Sequence, residues 1–432
     1  MALPAARFAP EPQPVPFSGD PAAALPATAE VVVVGAGMVG ASAALRLAQA
    51  GMRPLVIEAN APAFGASGRL AGMALAGLGG HFPRVTRLAQ ASGARSILDY
   101  TTRSLDLLRA LEAELPGGIE WQGVGSVDLA LTQEEERHVR HMAEIQAAEG
   151  LAVEVVTSDA LRDLAPGVDA TTVRAAKWTP GDGTVNPFRL VYRSLEAAMQ
   201  LGAQVVTGVR VEELLVRGGR AAGVRTSHGD VAAGSVLMAT NAWTPALVPW
   251  VRQAVTPIRE HIIVTEPVDL ALGHGFETNQ CNEYWRQMRT GEVLIGGYAV
   301  ADDEMGIGSY SMTVRPQVPP LLAHLLGQLH PKLRDVRVVR TWAGLLDFAA
   351  LEIPLAGPLC TADGTIVPGA FLACGLTGHG LPYAPILGLL LAELIADGAA
   401  RTLSLDPFDP RRYAGQAHAP TWLAPFQGVV PA

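Results

Sequence analysis

A glycine-rich turn near the start of the chain has the composition of a nucleotide-binding loop. Residues 35–40 read GAGMVG and follow the β-branched stretch 31–34 directly. In such a turn the first glycine permits the tight bend, the second lets a pyrophosphate approach the backbone, and the third lets helix and strand pack closely. Glycine-rich turns before helices also occur for packing reasons alone. The predicted contacts are Gly35, Ala36, Gly37, Met38, Val39 and Gly40.

An acidic residue accompanies this turn. Glu58 ends the next predicted strand, 23 residues after Gly35. A carboxylate at this place accepts hydrogen bonds from the 2′ and 3′ hydroxyls of a ribose and repels a 2′-phosphate, which disfavours NADP. NAD and FAD both remain open on these residues alone, because each carries the same ADP group.

Two further glycine-rich runs favour FAD. The first, AFGASGRLAGMALAGLGG, follows Glu58, and the second, CGLTGHGLP, precedes a long apolar stretch of helical character. The N-terminus of that helix would stabilise the negative charge of a reduced flavin by about 0.3–2 kcal/mol, whereas a nicotinamide needs no second dipole. A small-residue loop packed under a helix is the alternative for the first run. The predicted contacts are Ala66, Ser67, Arg69, Leu70, Ala71, Gly375, Gly378, His379, Gly380 and Leu381, with Val211 and Thr240 between the two runs.

The elements around these runs predict an α/β fold. A strand at 31–34, a helix from Met38 to Ala50 and a strand at 54–57 form a βαβ unit, the start of a doubly wound domain. Between Val205 and Thr240, short strands separated by turns at 218–219 and 228–230 are typical of an antiparallel meander. We therefore expect a Rossmann-like FAD-binding domain plus a substrate domain with a large mixed or antiparallel sheet.

Eight segments carry these features across most of the chain in a fixed order. They are VVVVGAGMVGASAALRLAQAG, GASGRLAG, PGDGTVNPFRLV, ATNAW, PIREHIIVTEP, EYWRQMRTGEVLIGG, RTWAGLLDFAALEIPLAGP and GLTGHGLPYAPILG. In this order they resemble the FAD-dependent glycine/D-amino acid oxidase (DAO) family. Within it they are most similar to the monomeric sarcosine oxidases and the sarcosine oxidase beta-subunit type of amine dehydrogenase.

The resemblance implies a discontinuous architecture. The FAD-binding domain is expected to comprise residues 29–112, 184–255 and 338–432, and the substrate domain residues 113–183 and 256–337, after an N-terminal arm at 1–28. Family members often attach the flavin through an early histidine or through a cysteine in the stretch aligned with WAGLLDF. Neither residue stands at its place here, so we expect FAD to be bound noncovalently.

Several positions depart from the family pattern. The lysine that assists the reaction of sarcosine oxidases with O2 is replaced by Ile295, which favours a dehydrogenase over an oxidase. Pro382 and Leu346 stand where family members carry a substrate-binding lysine and arginine, and Ala299 stands in place of a pocket histidine. Either the substrate is then a different amine, or its carboxylate meets one of three arginines, which are Arg69, Arg259 and Arg286.

The candidate catalytic residues follow from the same resemblance and from strand position. Tyr284 aligns with a tyrosine that lines the substrate pocket in sarcosine oxidases, and its hydroxyl would orient an amine or a carboxylate. His261, Arg286 and Tyr298 are the other candidates, each with a packing role as the alternative. Amine oxidation of this type relies on orientation and a dry pocket, so the sequence needs no catalytic triad. No metal site is expected.

Composition restricts the class of protein. The 432 residues are 49% hydrophobic and 17% charged, with a formal net charge of −9, which argues against a nucleic-acid partner. The three cysteines are widely spaced and imply no disulfide framework, so a cytoplasmic location is expected. The start of the chain lacks a signal-peptide pattern, and the apolar stretch APILGLLLAELIADG is shorter than the roughly 20 residues that span a bilayer.

These observations predict an FAD-dependent oxidoreductase. It would oxidise the C–N bond of a small amine or amino acid, such as a secondary amine or a D-amino acid, by hydride transfer to flavin N5, and the resulting imine would hydrolyse. An electron-accepting protein partner is possible. The alternatives are a non-catalytic flavoprotein subunit of a larger dehydrogenase complex and an NAD-linked dehydrogenase.

Overall fold

The computed structural model describes residues 25–88, 93–278, 282–302, 306–415 and 417–422. Most of the predicted N-terminal arm and Cys281 therefore lie outside the described residues. The described chain forms two eight-stranded sheets and a small two-stranded sheet, with helices packed around them.

The first sheet is the predicted doubly wound domain. Its core is β1 (Thr28–Val34), flanked by β2 (Pro54–Glu58) and β11 (Gly229–Met238), and all three strands are parallel. The full order is β17-β18-β11-β1-β2-β8, with a hairpin of β9 and β10 on β11. The outer strands are β8 (Gln204–Thr207), β9 (Val211–Arg217), β10 (Arg220–Thr226), β17 (Leu355–Cys360) and β18 (Ile366–Cys374).

Helices cover this sheet because its strands are apolar on both faces. One face carries α1 (Met38–Gln49), α3 (Gly93–Glu114), α6 (Pro187–Gln200) and α9 (Gly380–Asp397), and α2 (Phe82–Leu88) packs on α3. Val31, Val32 and Val33 are fully buried, which matches the uninterrupted apolar reading of a parallel strand. The short helix α7 (Thr244–Leu247) follows β11.

The second sheet is mostly antiparallel. Its order is β16-β12-β15-β14-β13-β4-β6-β5, and only β13 and β4 run parallel. The strands are β4 (Ser126–Ala130), β5 (Glu154–Val156), β6 (Ala175–Thr179), β12 (Val255–Pro267), β13 (Gly275–Thr278), β14 (Tyr284–Gln287), β15 (Glu292–Gly297) and β16 (Val338–Ala349). One face packs on α8 (Val318–Leu329), and α4 (Gln133–Ala148) and α5 (Ser158–Leu164) pack beside β5 and β6. β3 (Met73–Ala74) and β7 (Gly183–Thr184) form the small sheet.

Local signals set several helix starts. Thr132 and Glu135 form a capping box at α4, in which the threonine hydroxyl accepts from Glu135 N–H and the glutamate carboxylate accepts from Thr132 N–H. Asn186 caps α6, and Pro187 occupies its first turn.

The fold confirms the predicted class, a Rossmann-like domain with a second large sheet. Strand β16, which the resemblance assigns to the FAD-binding domain, pairs with β12 from Ala349 to Val338 and so belongs to the second sheet. Alternation in the sequence alone does not reveal which distant strand is its partner. We propose that residues 338–349 belong to the substrate domain.

Helix α9 (Gly380–Asp397) is strongly apolar. Within the described part of the chain it is the helix that is long and apolar enough to cross a bilayer, at 18 residues. It packs against α1 and α3, and 61% of its apolar window is buried inside the protein. The helix is thus a core element of the first domain.

Candidate active site

The turn between β1 and α1 has the geometry that the glycine pattern predicts. Gly35 has φ of +102°, and a Cβ there would lie 2.6 Å from the carbonyl oxygen of Ala239. A Cβ on Gly40 would lie 2.0 Å from the carbonyl oxygen of Gly35, so the third glycine lets helix and turn touch. The N-cap residue of α1, Gly37, has no side chain to cap the helix, and the first turn of α1 lines a large cavity. Uncapped N–H groups at a cavity wall suit a phosphate group.

Glu58 secures this turn from the neighbouring strand. Its Oε2 accepts from Ala36 N–H at 2.9 Å and its Oε1 accepts from Asn60 N–H at 2.8 Å. Burial raises the pKa of the Glu58 carboxyl, and the backbone hydrogen bonds oppose that rise. Ser67 contributes in the same region, because its hydroxyl accepts from Met38 N–H at 3.0 Å.

The second glycine-rich turn lies at the start of α9 and is held by Asp347. One carboxylate oxygen of Asp347 accepts from Gly375 N–H, and the other accepts from Leu376 N–H at 3.2 Å. Burial raises the pKa of Asp347 to about 7, although these bonds act in the opposite direction. Thr377 N–H donates to the Asp347 carbonyl at 2.8 Å, and α9 starts at Gly380 without a side-chain cap.

Both turns line one cavity of about 520 Å³ between the two large sheets. Residues 341 positions apart in sequence (378 − 37), Gly37 and Gly378, therefore line the same cavity. The predicted cofactor residues that line the cavity are Gly35, Gly37, Met38, Val39, Glu58, Ala66, Ser67, Arg69, Leu70, Ala71, Val211, Thr240, Gly378, His379, Gly380 and Leu381. Ala36, Gly40 and Gly375 lie directly behind this lining and act through backbone contacts.

The second sheet forms the opposite wall, and its register explains a short polar cluster. Tyr284 on β14 is paired with Gly296 on β15, and Gly296 is paired with Ile262 on β12. A Cβ on Gly296 would lie 2.6 Å from the Tyr284 hydroxyl, so the missing side chain lets the phenol cross β15. The hydroxyl reaches Glu260 and donates to its Oε2 at 2.7 Å.

Electrostatics around this cluster favour protonated groups. Burial raises the pKa of Glu260 to about 7, the Tyr284 hydroxyl lowers it, and the negative charge of Glu283 raises it. Burial, together with the charges of Glu260 and Glu277, raises the pKa of Tyr284 well above its usual value. Tyr284 is consequently a hydrogen-bond donor at any physiological pH.

Glu277 adds a third carboxyl group to this wall. It faces Tyr284 across β13 and β14, and it lines the cavity. Burial and the charge of Asp128 raise the pKa of Glu277 well above its usual value, while Lys177 acts in the opposite direction. Lys177 lies 2.9 Å from Asp128 in a buried ion pair behind the cavity wall.

Of the four candidate catalytic residues, Tyr284 lines the cavity and three lie outside its lining. His261 points to the far face of the sheet, where its Nε2 accepts from Arg315 N–H at 3.0 Å. Arg286 donates to the backbone carbonyls of Ala71 and Val185, the latter at 3.1 Å. Tyr298 is half-buried beyond the end of β15 with φ of +54° and packs against the core between the second sheet and α8. These three side chains are not among the residues that line the cavity, and their catalytic role stays a prediction.

Of the three arginines that could bind a substrate carboxylate, Arg69 alone lines the cavity. Arg259 is buried on the far face and forms a bidentate pair with Asp302 at 2.6 and 2.8 Å. Arg69 lines the cavity and donates to the carbonyls of Phe64 and Ala343. Pro382 and Leu346 do line the cavity and add no charge there.

Ile295 lies elsewhere than its alignment suggests. It belongs to the fully buried core between the second sheet and α8, on the face away from the cavity. The residue itself therefore does not form the flavin-side wall. The sequence holds two lysines: Lys177 is paired with Asp128 behind the wall, and Lys332 is exposed.

Sequence reasoning missed several cavity residues. Glu260 precedes the predicted His261 by one position, and strand alternation offered both faces equally. His81 lines the cavity with its Nδ1 at 3.1 Å from Glu352 and its ring 4.5 Å from that of His379. His81 was hard to predict from the sequence, because a lone histidine at the end of a glycine-rich run shows no helical or strand periodicity. Asp347 was hidden inside a strand.

Comparison with known proteins agrees with this geometry. The profile of the DAO family, described as FAD dependent oxidoreductase, matches residues 30–394. Glycine oxidase from Pseudomonas aeruginosa is 29% identical over 403 residues, covering 88% of this chain and 98% of that protein. Hydrogen cyanide synthase subunit HcnC from Pseudomonas protegens is 27% identical over 416 residues, covering 89% and 96%.

Solved structures agree in fold. Glycine oxidase from Geobacillus kaustophilus superposes with a TM-score of 0.76 at 23% identity, covering 89% of this chain and 98% of that chain. L-Proline dehydrogenase from P. horikoshii gives a TM-score of 0.76 at 24% identity, covering 90% and 98%.

A two-domain flavoenzyme of the oxidoreductase class is what this fold and this cavity define. The chain belongs to the DAO family of FAD-dependent oxidoreductases. Its cofactor is FAD, as predicted from the paired glycine-rich turns. The starts of α1 and α9, whose N-cap residues make no side-chain cap, and Glu58 fit a dinucleotide, since all three line one cavity.

Proposed function

We propose that this enzyme oxidises the C–N bond of a small primary or secondary amine or amino acid. The observation that carries the proposal is the single cavity, lined at one end by the nucleotide-binding turn and roofed at the other by Tyr284 and its neighbours. When bound, FAD supplies the acceptor for a hydride from the carbon next to the substrate nitrogen.

In this proposal the protein binds the cofactor, orients the substrate and excludes water from the site. The turn at 35–40 and Glu58 hold the ADP group, and the start of α9 holds the flavin ring. Tyr284 orients the substrate nitrogen through its hydroxyl. Leu346 and Phe348 provide an apolar wall that excludes water, which strengthens every polar contact inside.

The proposal favours a dehydrogenase over an oxidase. Ile295 no longer supports this preference, because its side chain packs on the far face of the sheet. Lysine content supports it instead: neither of the two lysines is among the residues that line the cavity. A positive charge beside the flavin would stabilise the reduction of O2, and lysine usually supplies it in the resembling oxidases. Electrons would then pass to a protein or small-molecule acceptor, and the cytoplasm is the proposed location.

A non-catalytic role as a subunit of a larger complex is the second candidate. HcnC, one of the relatives, carries the word subunit in its name. A wall with three carboxyl groups, in a cavity whose lining arginines are Arg69 and Arg210, also differs from a site built for an amino-acid carboxylate.

An anaerobic substrate screen separates these candidates. The purified holoenzyme is mixed, without oxygen, with glycine, sarcosine, D- and L-amino acids, 4-methylaminobutanoate and N-methylbutylamine, and oxidised flavin absorbance is followed. Bleaching by at least one amine is expected, followed by slow recovery in air and fast recovery with an artificial acceptor. Bleaching by none of these compounds would contradict the proposed function, and rapid recovery in air would contradict the dehydrogenase assignment.

A further inference from the structure

Glu260 is a cavity residue that the function described so far does not use. It lies on the cavity face of β12, in register with Gly344 on β16, and the stem of Arg69 covers Gly344 at 3.0 Å from where a Cβ would stand. Amines in water at neutral pH are ammonium ions, since alkylammonium groups have pKa values of about 10.4. The substrate must lose that proton before its nitrogen lone pair can assist oxidation.

We propose that Glu260, positioned by the Tyr284 hydroxyl, is the base that accepts the ammonium proton of the bound substrate. The N–H bond breaks, the proton passes to the free oxygen of the Glu260 carboxylate, and the electron pair stays on nitrogen, so the step itself transfers no electrons. The substrate class that this wall takes is an aliphatic primary or secondary ammonium ion. The inference rests on the proposed function, because it concerns the amine that the enzyme oxidises.

The geometry supports Glu260 over its neighbours. One carboxylate oxygen, Oε2, is occupied by Tyr284 at 2.7 Å, which fixes the carboxyl group and leaves Oε1 for the substrate. His261, the adjacent residue, faces the opposite side and receives Arg315 N–H, so it cannot serve. Glu283 is committed to Thr278, whose hydroxyl donates to it, and Glu277 faces Asp128 and Lys177.

Burial and the charged groups around Glu260 determine the pH range in which its carboxylate can accept a proton. Glu277 on β13 and Glu283, which directly precedes β14, lie on the same wall. Arg69 approaches from the segment after β2, and Arg259 and Asp302 pair with each other on the far face. Burial raises the pKa of Glu260 to about 7. A carboxyl group with this pKa is a carboxylate in half of the molecules near neutral pH and accepts a proton readily, as a general base should.

The pH dependence of anaerobic flavin reduction by N-methylbutylamine tests this inference. In the native enzyme the apparent second-order rate constant should rise through a pKa of about 7, that of Glu260, and fall only near the amine pKa of about 10.4. In Glu260→Gln the lower limb should move to about 10, because only neutral amine from solution can react, with a loss of about 100-fold at a pH of about 8.

Two further variants, Tyr284→Phe and Glu266→Gln, test the inference even if Glu260→Gln folds poorly. Tyr284→Phe removes a donor to the carboxylate, so the lower limb should shift to higher pH, whereas a purely structural tyrosine would lower the rate at every pH equally. Glu266 lies on the same strand, is half-buried and pairs with Arg337 at 2.6 Å, so Glu266→Gln should leave the profile unchanged. An unchanged lower limb in Glu260→Gln would overturn the inference.

Binding of N,N,N-trimethylbutylammonium gives a readout that does not depend on turnover. This cation has no proton to donate, and its binding to the holoenzyme is followed by the change in flavin absorbance. Affinity should rise about tenfold between a pH of about 6 and a pH of about 8 in the native enzyme and stay flat in Glu260→Gln. A flat native profile with active flavin reduction would refute Glu260 alone, whereas reduction by no amine would refute the proposed function as well.

Discussion

Two adjacent residues of β12, Glu260 and His261, show how much depends on a single position. Side chains alternate between the faces of a strand, so Glu260 faces the cavity and His261 faces the core beside Arg315. Burial lowers the pKa of His261, which keeps it neutral on that face. Of the two, His261 was the predicted catalytic residue because of its residue type. The register of the sheet instead places Glu260 in the cavity.

Glu58 is the residue on which the nucleotide end depends most directly. Glu58→Gln keeps one acceptor oxygen and loses the second, so one of the two backbone N–H groups from Ala36 and Asn60 is left unpaired. We expect a loss of about 1–2 kcal/mol, or roughly tenfold, in the affinity for FAD. Titration of the apoprotein with FAD, followed by quenching of flavin fluorescence, measures this change.

Glu30→Gln provides the matched control for that variant. Glu30 is exposed and accepts from Arg53 N–H at 3.0 Å between the same two strands, far from the cavity. Its substitution should leave FAD affinity within about twofold, because exposed hydrogen bonds contribute little. Equal FAD affinity in Glu58→Gln and the native protein would contradict the assigned role of Glu58.

At the scale of elements, the start of α9 depends on a strand that is distant in sequence. Asp347 near the end of β16 receives the N–H groups of Gly375 and Leu376, which fixes the turn that leads into the helix. The backbone of Thr377 has φ of +51°, a conformation that needs support from its surroundings. The hydroxyl of Thr377 accepts from Ala349 N–H at 3.1 Å and provides some of it.

We expect Asp347→Ala to lower the free energy of unfolding by about 2–3 kcal/mol, since it leaves two buried N–H groups unpaired. FAD affinity should also fall, because the turn beside the flavin loses its anchor. Asp363→Ala is the control: Asp363 accepts from Thr365 N–H at 3.1 Å in an exposed turn, and the change should stay within about 0.5 kcal/mol. Chemical denaturation followed by circular dichroism measures both variants.

Asp347 also predicts a pH dependence with a definite sign. Its folded pKa of about 7 lies above the unfolded value of 3.8, so the folded state binds more protons between these two values. The group therefore favours folding at low pH, and this contribution is lost as the pH rises from about 4 to about 7. The unfolding free energy of Asp347→Ala should decline less over this window than that of the native protein. An equal or steeper decline would contradict the raised pKa.

At the scale of the whole molecule, the cofactor cavity exists only because both ends of the chain converge. The βαβ unit supplies one end, α9 supplies the other, and the second sheet closes the cavity from above. Packing between α1 and α9 is close: a Cβ on Gly388 would lie 2.5 Å from the Ser42 side chain, and the Ser42 hydroxyl donates to the carbonyl of Pro385 at 3.0 Å. Such an enclosure retains a cofactor without a covalent bond.

We predict that acid precipitation of the holoenzyme releases all yellow colour into the supernatant. Cys360 and Cys374 are buried thiols and neither is among the cavity-lining residues, so they offer no attachment point. His81 and His379 do line the cavity, and each ring already makes a polar contact, to Glu352 and to the Thr377 carbonyl. Colour in the pellet, lost in His81→Asn or in His379→Asn, would contradict noncovalent binding and identify the linkage.

Local sequence patterns were enough to predict the cofactor class, the βαβ unit and the family. These rest on local requirements: Gly35 must adopt positive φ, Gly40 must touch the turn, and buried strands such as 31–34 must be apolar throughout. Such requirements restrict which residue can stand at a given position, whatever the rest of the chain does. They are therefore readable without knowing any distant contact.

Local patterns did not predict which polar side chains share the cavity, because that depends on how distant strands pair in the folded protein. Tyr284 meets Glu260 because two strand registers place Gly296 between them, and Asp347 meets Gly375 because β16 ends beside β18. The same pairing turned His261 and Ile295 to the far face and assigned β16 to the second sheet. Register between strands distant in sequence is set by the packing of whole faces, and a shift of one residue would reverse every one of these assignments.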